Sequence, residues 1–544
     1  MFGGTPARNM VNLTDKLPTL PPKGPDWDKP DEAKAWCDRW ALWKADLGSR
    51  SYTQPVVAGG KVFVGTNNER PRNPRDTAKN KNGEVEPLDK GVLMCFDALT
   101  GKFLWQAVFG SLEAGGVNDW PKVGLCSSPT VEGNPAYFVS NRCTVVCADV
   151  EGRWNGVQGP VRKGYTDPTD ADILWQYDMR KELGVFPHCM SVGCPIIVGD
   201  LLFTVTANGV DDGHINVPAP EAPSFICLNK NTGKLVWKDN SPGKNILHGQ
   251  WAQPAYAAGP VPQVIFPGGD GWIRALDPPT GRLLWKFDGN PKDAVHELGG
   301  VGTKSEFIAA PVIHDGRLYL GVGQDPERSD GIGRLWCLDL TKAVAGGVRN
   351  SDRDVSPELI VRVEKRPNEA DRVVTKPNPD SAAIWMYGGK ENRPWAIRDF
   401  KFGRTMSNAT IVGDILYIGE LPGFFHCMNA KTGEHYWQYD IQAQIWGSPY
   451  YVDGRIIFGT DNGDLYVFRH DPKPEKIDDL GFQANTQEEA RVKRRERQKQ
   501  VTDRYLVSKI EFDAIIRNTP SVAGGVLYLA TEKTLFAIGR PPPR

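Results

Sequence analysis

The sequence of 544 residues contains no apolar run approaching the ~18 residues that a membrane-spanning helix requires. Its formal net charge is only −1, so its overall charge gives no attraction to nucleic acid or anionic membranes. It has no Cys-x-x-Cys-His motif, which excludes covalently attached c-type haem. The first residues, MFGGTPARNM, are neither basic nor apolar enough for a signal peptide. These absences exclude classes of protein without indicating an activity.

Glycine, proline and tryptophan are abundant, with 58, 43 and 17 residues respectively. Glycine and proline at this density punctuate many short strands. Hydrophobic residues make up 40% and charged residues 24%, which is typical of a globular protein and excludes disorder. Because residues 1–30 are rich in proline, we interpret them as the extended start of a processed, exported chain.

An internal repeat explains the tryptophans. Its motif is Cys or Ala, an apolar residue, Asp or Asn, two residues, Thr-Gly, three residues and Trp. Clear copies are CFDALTGKFLW at 95–105, CLNKNTGKLVW at 227–237, ALDPPTGRLLW at 275–285 and CMNAKTGEHYW at 427–437. Degenerate copies at 147–152 and 337–342 have their tryptophans displaced to Trp175 and Trp385, and two worn copies at 465–471 and 535–540 have lost the Thr-Gly. Repeats of this kind indicate a radial or stacked architecture.

A second motif precedes each copy of the first. It consists of a small residue, an apolar stretch, a glycine turn and an apolar strand. The eight copies lie at 54–65, 128–139, 194–205, 253–266, 310–321, 408–419, 448–459 and 519–530. Asp-Gly and Gly-Gly at the turn are typical of tight hairpins. Each repeat therefore supplies four antiparallel strands.

Eight such units predict an all-β fold, an eight-bladed β-propeller with four-stranded antiparallel blades. The last unit lacks an outer strand, and LWKADL at 42–47 is similar to the outer strand LWKFD at 284–288. We therefore expect an N-terminal strand to close the ring, because closure removes an unpaired sheet edge. The predicted organisation is an extended N-terminal arm at 1–41, the propeller at 42–540 and a tail at 541–544.

The Thr-Gly-x-x-x-Trp repeat resembles that of the pyrroloquinoline-quinone-like eight-bladed propellers. This family includes quinoprotein alcohol dehydrogenases and the outer-membrane assembly lipoprotein BamB. The resemblance implies that the repeated tryptophans dock each blade on its neighbour. The residues at that position are Trp43, Trp105, Trp175, Trp237, Trp285, Trp385 and Trp437, and Phe512 is expected to replace Trp in blade seven. Catalytic and non-catalytic members share the repeat, so it predicts the fold and not the activity.

Half of the ten cysteines fall at one repeat position. These are Cys95, Cys147, Cys227, Cys337 and Cys427. Because alanine replaces them in other blades, the position favours a small apolar side chain in the core. Cys189 and Cys194 are the one pair that we consider for a disulfide closing a small loop, and the sequence leaves this pairing open.

Long insertions interrupt the blades. We expect those at 66–91, 207–223 and 322–333 on one face of the ring and those at 153–172, 343–383 and 470–506 on the other. The last contains TQEEARVKRRERQKQ, near 486–500, whose acidic start and basic end suit a helix. This helix is either a solvated surface element or a docking site for a partner.

Four of the eight histidines come from loops near blades three to five. These loops are neighbours in a ring, so we expect any ligand to lie near His188, His248, His296 and Trp251. Histidine and cysteine side chains can bind Zn or Cu, and the candidate ligands of a metal are His188, Cys189, His214, His248 and His296. No closely spaced His-x-His or His-x3-His pair is present. That absence favours histidines that only form local hydrogen bonds.

One position of the inter-blade loops, three residues before each first strand, carries varied side chains. Blades one, two, four, six, seven and eight place Tyr52, Cys126, Trp251, Met406, Trp446 and Arg517 there. These residues are expected to surround the mouth of the central channel. They either form the wall of a pocket for a planar ligand or plug the channel.

The resemblance implies two kinds of function. Quinoprotein dehydrogenases use pyrroloquinoline quinone (PQQ) and Ca²⁺ beside a pair of adjacent cysteines, which this sequence lacks. We therefore assign no catalytic residue and no cofactor, with a PQQ- and Ca-dependent alcohol or sugar dehydrogenase as the alternative. The favoured hypothesis is a periplasmic or secreted binding or scaffold protein of the cell envelope. Its partner is expected to be a protein that contacts the insertions.

Overall fold

The computed structural model describes residues 1–113, 115–298, 302–323, 331–345, 353–366, 371–477 and 484–539. Within these residues the chain forms eight blades of four antiparallel strands, and the short strand Val11–Asn12 adds a fifth, parallel strand to one of them. Their first strands contact one another from blade three to four, four to five, six to seven and eight to one. The first strands therefore surround the central axis, and the predicted eight-bladed propeller is confirmed.

The strands follow the sequence repeat closely. In sheet order, the first four blades consist of Val56–Ala58, Lys61–Asn67, Lys90–Asp97 and Phe103–Gly110; Thr130–Val131, Pro135–Ser140, Thr144–Asp149 and Ile173–Asp178; Ile196–Val198, Leu201–Val205, Phe225–Asn229 and Leu235–Asp239; and Ala255–Ala257, Gln263–Pro267, Trp272–Leu276 and Leu283–Asp288. The next three consist of Val312–His314, Arg317–Val322, Arg334–Asp339 and Ala383–Gly388; Thr410–Val412, Ile415–Gly419, Phe424–Asn429 and His435–Asp440; and Tyr450–Val452, Arg455–Gly459, Asp464–Arg469 and Leu506–Glu511. Blade eight consists of Ser521–Ala523, Val526–Ala530, Thr534–Ile538 and Ala41–Asp46.

The N-terminal strand closes the ring as predicted. Ala41–Asp46 is antiparallel to Thr534–Ile538, and Trp43 lies opposite Ala537. The same pairing of a small residue with a tryptophan recurs in six other blades, for example between Cys95 and Trp105. A register shift follows the small residue in each case, which twists the outer strand.

The tryptophans dock each blade on the next through a glycine turn. A Cβ atom added at Gly101 would lie 2.5 Å from the ring of Trp43, and one at Gly281 would lie 2.6 Å from Trp237. Gly152, Gly233 and Gly433 meet Trp105, Trp175 and Trp385 in the same way. Each of these indoles also donates a hydrogen bond to a carbonyl of that turn, for example Trp43 to Ala98 at 3.0 Å. Glycine is needed because any side chain would occupy the space of the ring.

Two docking tryptophans and blade seven depart from this pattern. Trp285 and Trp437 are fully buried, but the next blade offers them no Thr-Gly turn. Trp285 instead donates to Gln263 in its own blade, at 2.6 Å. Trp175 and Trp385 are partly buried, whereas the other five docking tryptophans are buried.

The expected substitution of Phe512 for tryptophan in blade seven was wrong. Ser508 occupies the docking register there, opposite Val467. Phe512 lies beyond the end of the strand, with its ring 5.7 Å from that of Trp36. The insertion before the outer strand explains the difference, because no Thr-Gly turn fixes the spacing between the last two strands.

The N-terminal arm is not extended throughout. Its first residues run along the first strands of blades four to seven, with the Pro6 carbonyl accepting from Tyr256 and that of Ala7 from Ile313. Val11–Asn12 pairs with blade seven. The segment Pro30–Trp40 is then a helix, because proline at its start and acidic residues in its first turn favour one.

Other elements lie in the insertions. The helix Gln487–Tyr505 confirms the prediction for the charged segment, and Thr486 caps it. Its buried residues Val501 and Tyr505 pack against blades six and seven, so it is not a fully solvated element. Hairpins are formed by Thr77–Lys79 with Val85–Pro87 and by Glu358–Glu364 with Arg372–Pro377. Short helical turns are Pro74–Asp76, Gly115–Val117, Met179–Leu183, Gly243–Asn245 and Leu340–Ala343. No helix within the described part of the chain is long and apolar enough to cross a membrane.

Candidate ligand cavity and histidine cluster

A cavity of about 370 Å³ lies at the centre of the ring. Its wall includes residues from the loops that precede all eight blades. The structure brings together here the six residues singled out in the inter-blade loops, namely Tyr52, Cys126, Trp251, Met406, Trp446 and Arg517. The sequence did not indicate Trp120 or Phe2, which also line the cavity. They come from a blade-two loop and the arm, where no repeat marks a position.

The cavity wall is mainly aromatic and apolar, with two arginines. The guanidinium of Arg517 lies 5.5 Å from the ring centres of both Tyr52 and Trp446. It also forms an ion pair with Glu532. These contacts fix the cation in one place, and Arg50 adds a second positive charge to the wall. The arrangement suits a planar ligand that carries an anionic or carbonyl group.

The arm contributes one part of the wall. Phe2 lines the cavity, and the fully buried Arg8 anchors the segment that carries it. Arg8 donates to the carbonyls of Cys194 at 2.6 Å, Pro254 at 2.9 Å and Phe2 at 2.9 Å. Burial lowers the pKa of this guanidinium to about 10. The arginine therefore ties the arm to the first strands of blades three and four.

Three histidines meet at the edge of the cavity. The Nε2 atom of His248 lies 2.8 Å from Nε2 of His188 and 3.0 Å from Nε2 of His214. The three ring centres are 4.5 to 4.9 Å apart. The potential ligand atoms of His188, Cys189 and His248 all lie within 4.8 Å of one another. His248 and Cys189 also line the cavity, so the cluster and the cavity are continuous.

The backbone of three loops is joined at this point. His188 donates its N–H to the carbonyl of Ala207 at 3.0 Å, and Val210 donates to that of His248 at 2.9 Å. A Cβ atom at Gly209 would lie 2.5 Å from Cβ of His188, so only glycine allows this approach. Cys189, Ala207 and His214 have positive φ angles of 56° to 60°, a conformation that costs side-chain-bearing residues energy. The hydrogen bonds between the loops keep these backbone conformations in place, and the three imidazoles stay close together as a result.

His296 does not join the cluster, so its predicted place among the ligands was wrong. It is exposed, and the loop that carries it folds back on itself through Val295. Val295 accepts backbone hydrogen bonds from Thr303 and Lys304 at 3.0 and 3.1 Å. Cys189 and Cys194 are not joined to each other, so the disulfide that the sequence left open is not formed.

A second histidine pair lies in blade six. Nδ1 of His426 is 2.8 Å from Nε2 of His435, and Nε2 of His426 is 2.7 Å from Glu420. Arg398 forms two hydrogen bonds with the same carboxylate. Burial lowers the pKa of His426, although Glu420 opposes this shift. The signal was present in the register, since His426 and His435 lie on adjacent strands joined by a tight turn.

The cavity does not suit the Ca²⁺ site that quinoprotein dehydrogenases require. Calcium takes six to eight oxygen ligands, mostly from carboxylates and carbonyls. None of the described residues that line the cavity is aspartate or glutamate, and the converging donors are imidazole nitrogens and a thiol. The aromatic wall and the arginines fit a planar anion such as PQQ better than they fit the Ca²⁺ ion that accompanies PQQ in those enzymes.

Comparisons with known proteins agree with the fold. A family model described as outer membrane protein assembly factor BamB matches residues 38–215, 164–321 and 370–472. BamB from Moraxella catarrhalis is similar at 14% identity and a TM-score of 0.51, covering 92% of this chain and 99% of its own. A europium-containing methanol dehydrogenase is similar at 12% identity and a TM-score of 0.52, covering 98% of this chain and 89% of its own. No curated protein matches the sequence. At these identities the structural likeness shows the fold alone.

Proposed function

Because the chain belongs to the family of the outer membrane protein assembly factor BamB, we propose that it is a binding protein of the cell envelope whose ligand occupies the central cavity. A periplasmic or secreted location is part of this proposal. The observation that carries it is the cavity wall, to which all eight blades contribute. A ring that only presented its outer surface to a partner would not need varied aromatic and charged residues at the channel mouth.

The chemistry of the wall indicates the class of ligand. A volume of about 370 Å³ lies within the roughly 300–1,000 Å³ that is typical of small-molecule sites. Trp120, Trp251 and Trp446 offer flat apolar surfaces, and Arg50 and Arg517 offer guanidinium groups, of which that of Arg517 is already paired with Glu532. We expect a planar aromatic compound with a carboxylate or carbonyl group, a class that includes quinones.

Binding is tested by titrating the purified protein with a panel of aromatic carboxylates and quinones, including PQQ, and following tryptophan fluorescence and heat. Trp446→Ala and Arg517→Gln should each weaken the best compound about tenfold or more, since each removes a direct contact. Trp154→Ala is the matched control, because Trp154 is 69% exposed and lies in the insertion at 153–172, away from the cavity wall. Equal affinity of all four proteins, or no binding by any compound, would contradict the proposal.

The alternative function, a PQQ- and Ca-dependent alcohol or sugar dehydrogenase, predicts a different result. Reconstitution with PQQ and Ca²⁺ should then give dye-linked oxidation of alcohols or sugars that depends on both additions. Sustained turnover would replace the binding proposal. PQQ binding that is insensitive to Ca²⁺ and gives no turnover would support it, because the cavity wall offers nitrogen and sulfur donors where calcium needs oxygen.

A protein partner is the other part of the proposal, and the hairpin in the blade-five insertion is the best-placed surface. Ile360, Val361 and Val363 on its first strand are 47 to 53% exposed. Exposed adjacent apolar residues on a projecting hairpin suit a protein contact. Replacing the three with serine should reduce capture of envelope proteins by the immobilised protein. Leu13→Ser, at an exposed leucine in the N-terminal arm, is the control, and unchanged capture by the triple variant would exclude this surface.

A further inference from the structure

We infer that His188, His214 and His248 bind one transition-metal ion at the edge of the central cavity, with the Cys189 thiolate as a fourth ligand. The ion is of the class that prefers nitrogen and sulfur donors, Cu or Zn. This site is separate from the proposed organic ligand, and it does not depend on whether that ligand binds.

The distances between the imidazoles support a shared ion. Nitrogen ligands lie about 2.0–2.1 Å from zinc, so two of them at a tetrahedral angle are about 3.3 Å apart. The observed Nε2 separations of 2.8 and 3.0 Å differ from this by only a few tenths of an ångström. An ion shared by His248 and either of the other two histidines therefore needs only a small movement of the rings.

The protonation of His188 is the second argument. Its Nδ1 atom lies 2.7 Å from the carbonyl oxygen of Val210, which can only accept a hydrogen bond, so Nδ1 carries the proton. In the neutral ring Nε2 then has a lone pair, which points towards His248. A backbone carbonyl on the far nitrogen is the usual outer partner of a metal-binding histidine, because it fixes the ring and its tautomer.

The construction of the loops is the third argument. Gly209 lets His188 approach, and His214 and Cys189 both adopt left-handed backbone conformations. Trp251 holds the first loop by donating from its indole to the His188 carbonyl at 3.2 Å. Its ring lies 4.7 Å from that of His248 and shields it from one side. Such rigid support around converging donors is what a metal site needs.

The donor set decides the class of ion. Imidazole and thiolate suit copper and zinc, whereas carboxylate and carbonyl oxygens suit calcium and magnesium. Affinity for a given site of this kind rises from the earlier divalent metals to Cu²⁺ and then falls at Zn²⁺. We therefore expect Cu²⁺ to bind more tightly than Zn²⁺. Because His248 and Cys189 line the cavity, a bound ion would be accessible to a small molecule inside it.

The test uses the full chain with no histidine tag, stripped by a chelator and titrated separately with Cu²⁺ and Zn²⁺. We expect one ion per chain after dialysis, with a visible thiolate-to-copper charge-transfer band in the copper form. His248→Gln and His214→Ala should weaken binding by more than the roughly 10–100-fold that the loss of an outer partner costs. His214 lies on a surface loop, so its variant keeps the test valid if His248→Gln does not fold.

His296→Ala is the matched control, because this exposed histidine comes from the same sector and lies outside the cluster. The proposed site would be overturned if His296→Ala lost as much metal affinity as the cluster variants, or if both cluster variants still bound the ion. Failure of the stripped protein to take up either ion would also overturn it. Cys189→Ser should abolish the charge-transfer band, and a band that persists would remove the thiolate from the ligand set.

Discussion

The outer and inner parts of the ring use the repeat in opposite ways. At the docking position most blades carry the same residue, and Trp43, Trp105 and Trp237 make the same contact with the next glycine turn. At the channel mouth the corresponding position holds Tyr52, Cys126, Trp251, Met406, Trp446 or Arg517. Identical residues at equivalent positions serve the assembly of the ring. Different residues at equivalent positions indicate a single site that has no eightfold symmetry.

Removal of a docking tryptophan should have the largest effect on stability. Trp285→Ala should lower the free energy of unfolding by about 3–5 kcal/mol, the usual cost of truncating a buried aromatic residue. Trp285 is fully buried, and its loss also leaves the amide of Gln263 without its hydrogen bond. Urea denaturation measures the change, with the exposed Trp154→Ala as the control. Similar stabilities of the two variants would show that the buried Trp285 does not stabilise the ring.

The glycine turn can be tested separately from its backbone conformation. Gly281 and Gly454 have φ angles of 70° and 73°, but only Gly281 has an indole beside it. Alanine should cost about 1 kcal/mol at Gly454 through the backbone alone. At Gly281 the added Cβ would lie 2.6 Å from Trp237, so we expect a loss larger by about 1–3 kcal/mol. Equal losses at both positions would remove steric docking as the role of the turn.

The fold was predictable because the repeat fixes it locally. The Asp or Asn of each turn, the Thr-Gly pair and the tryptophan specify a bulged hairpin wherever they occur, so the strand order followed from counting copies. The strand that closes the ring was predictable from its likeness to other outer strands. The helix Pro30–Trp40 was missed because a proline-rich arm hides a short helix whose burial depends on blades seven and eight.

The site was predictable only where the repeat continued into the loops. The channel-mouth residues share one repeat position, so their convergence followed from the symmetry of the ring. The contact between His188 and His248 also followed from the order of the blades. The exposure of His296 did not follow from the order of the blades, because the path of its loop depends on hydrogen bonds within that loop. The pairing of His426 with His435 depends on the register of two adjacent strands, which the spacing of the two residues in the sequence does not give by itself.

The buried His426 of blade six should make stability depend on pH. Burial lowers the pKa of His426 below its usual 6.5, so the unfolded chain binds a proton before the folded protein does. The free energy of unfolding should therefore fall as the pH drops below about 6.5. In His426→Gln this decrease should be smaller between pH 7 and 5. Urea denaturation across that range measures it, with His296→Gln as the control. An unchanged slope would show that His426 does not contribute.

The smallest effect on stability is expected at the channel mouth. Trp446 is half-buried, donates only to Gln444 and faces the cavity. Trp446→Ala removes no docking contact between blades, so its free energy of unfolding should stay within about 1 kcal/mol of the wild type. The same variant should still lose affinity for the cavity ligand. A loss of stability as large as that of Trp285→Ala would mean that the mouth residues are structural plugs, and the contrast between the outer and inner positions of the ring would fail.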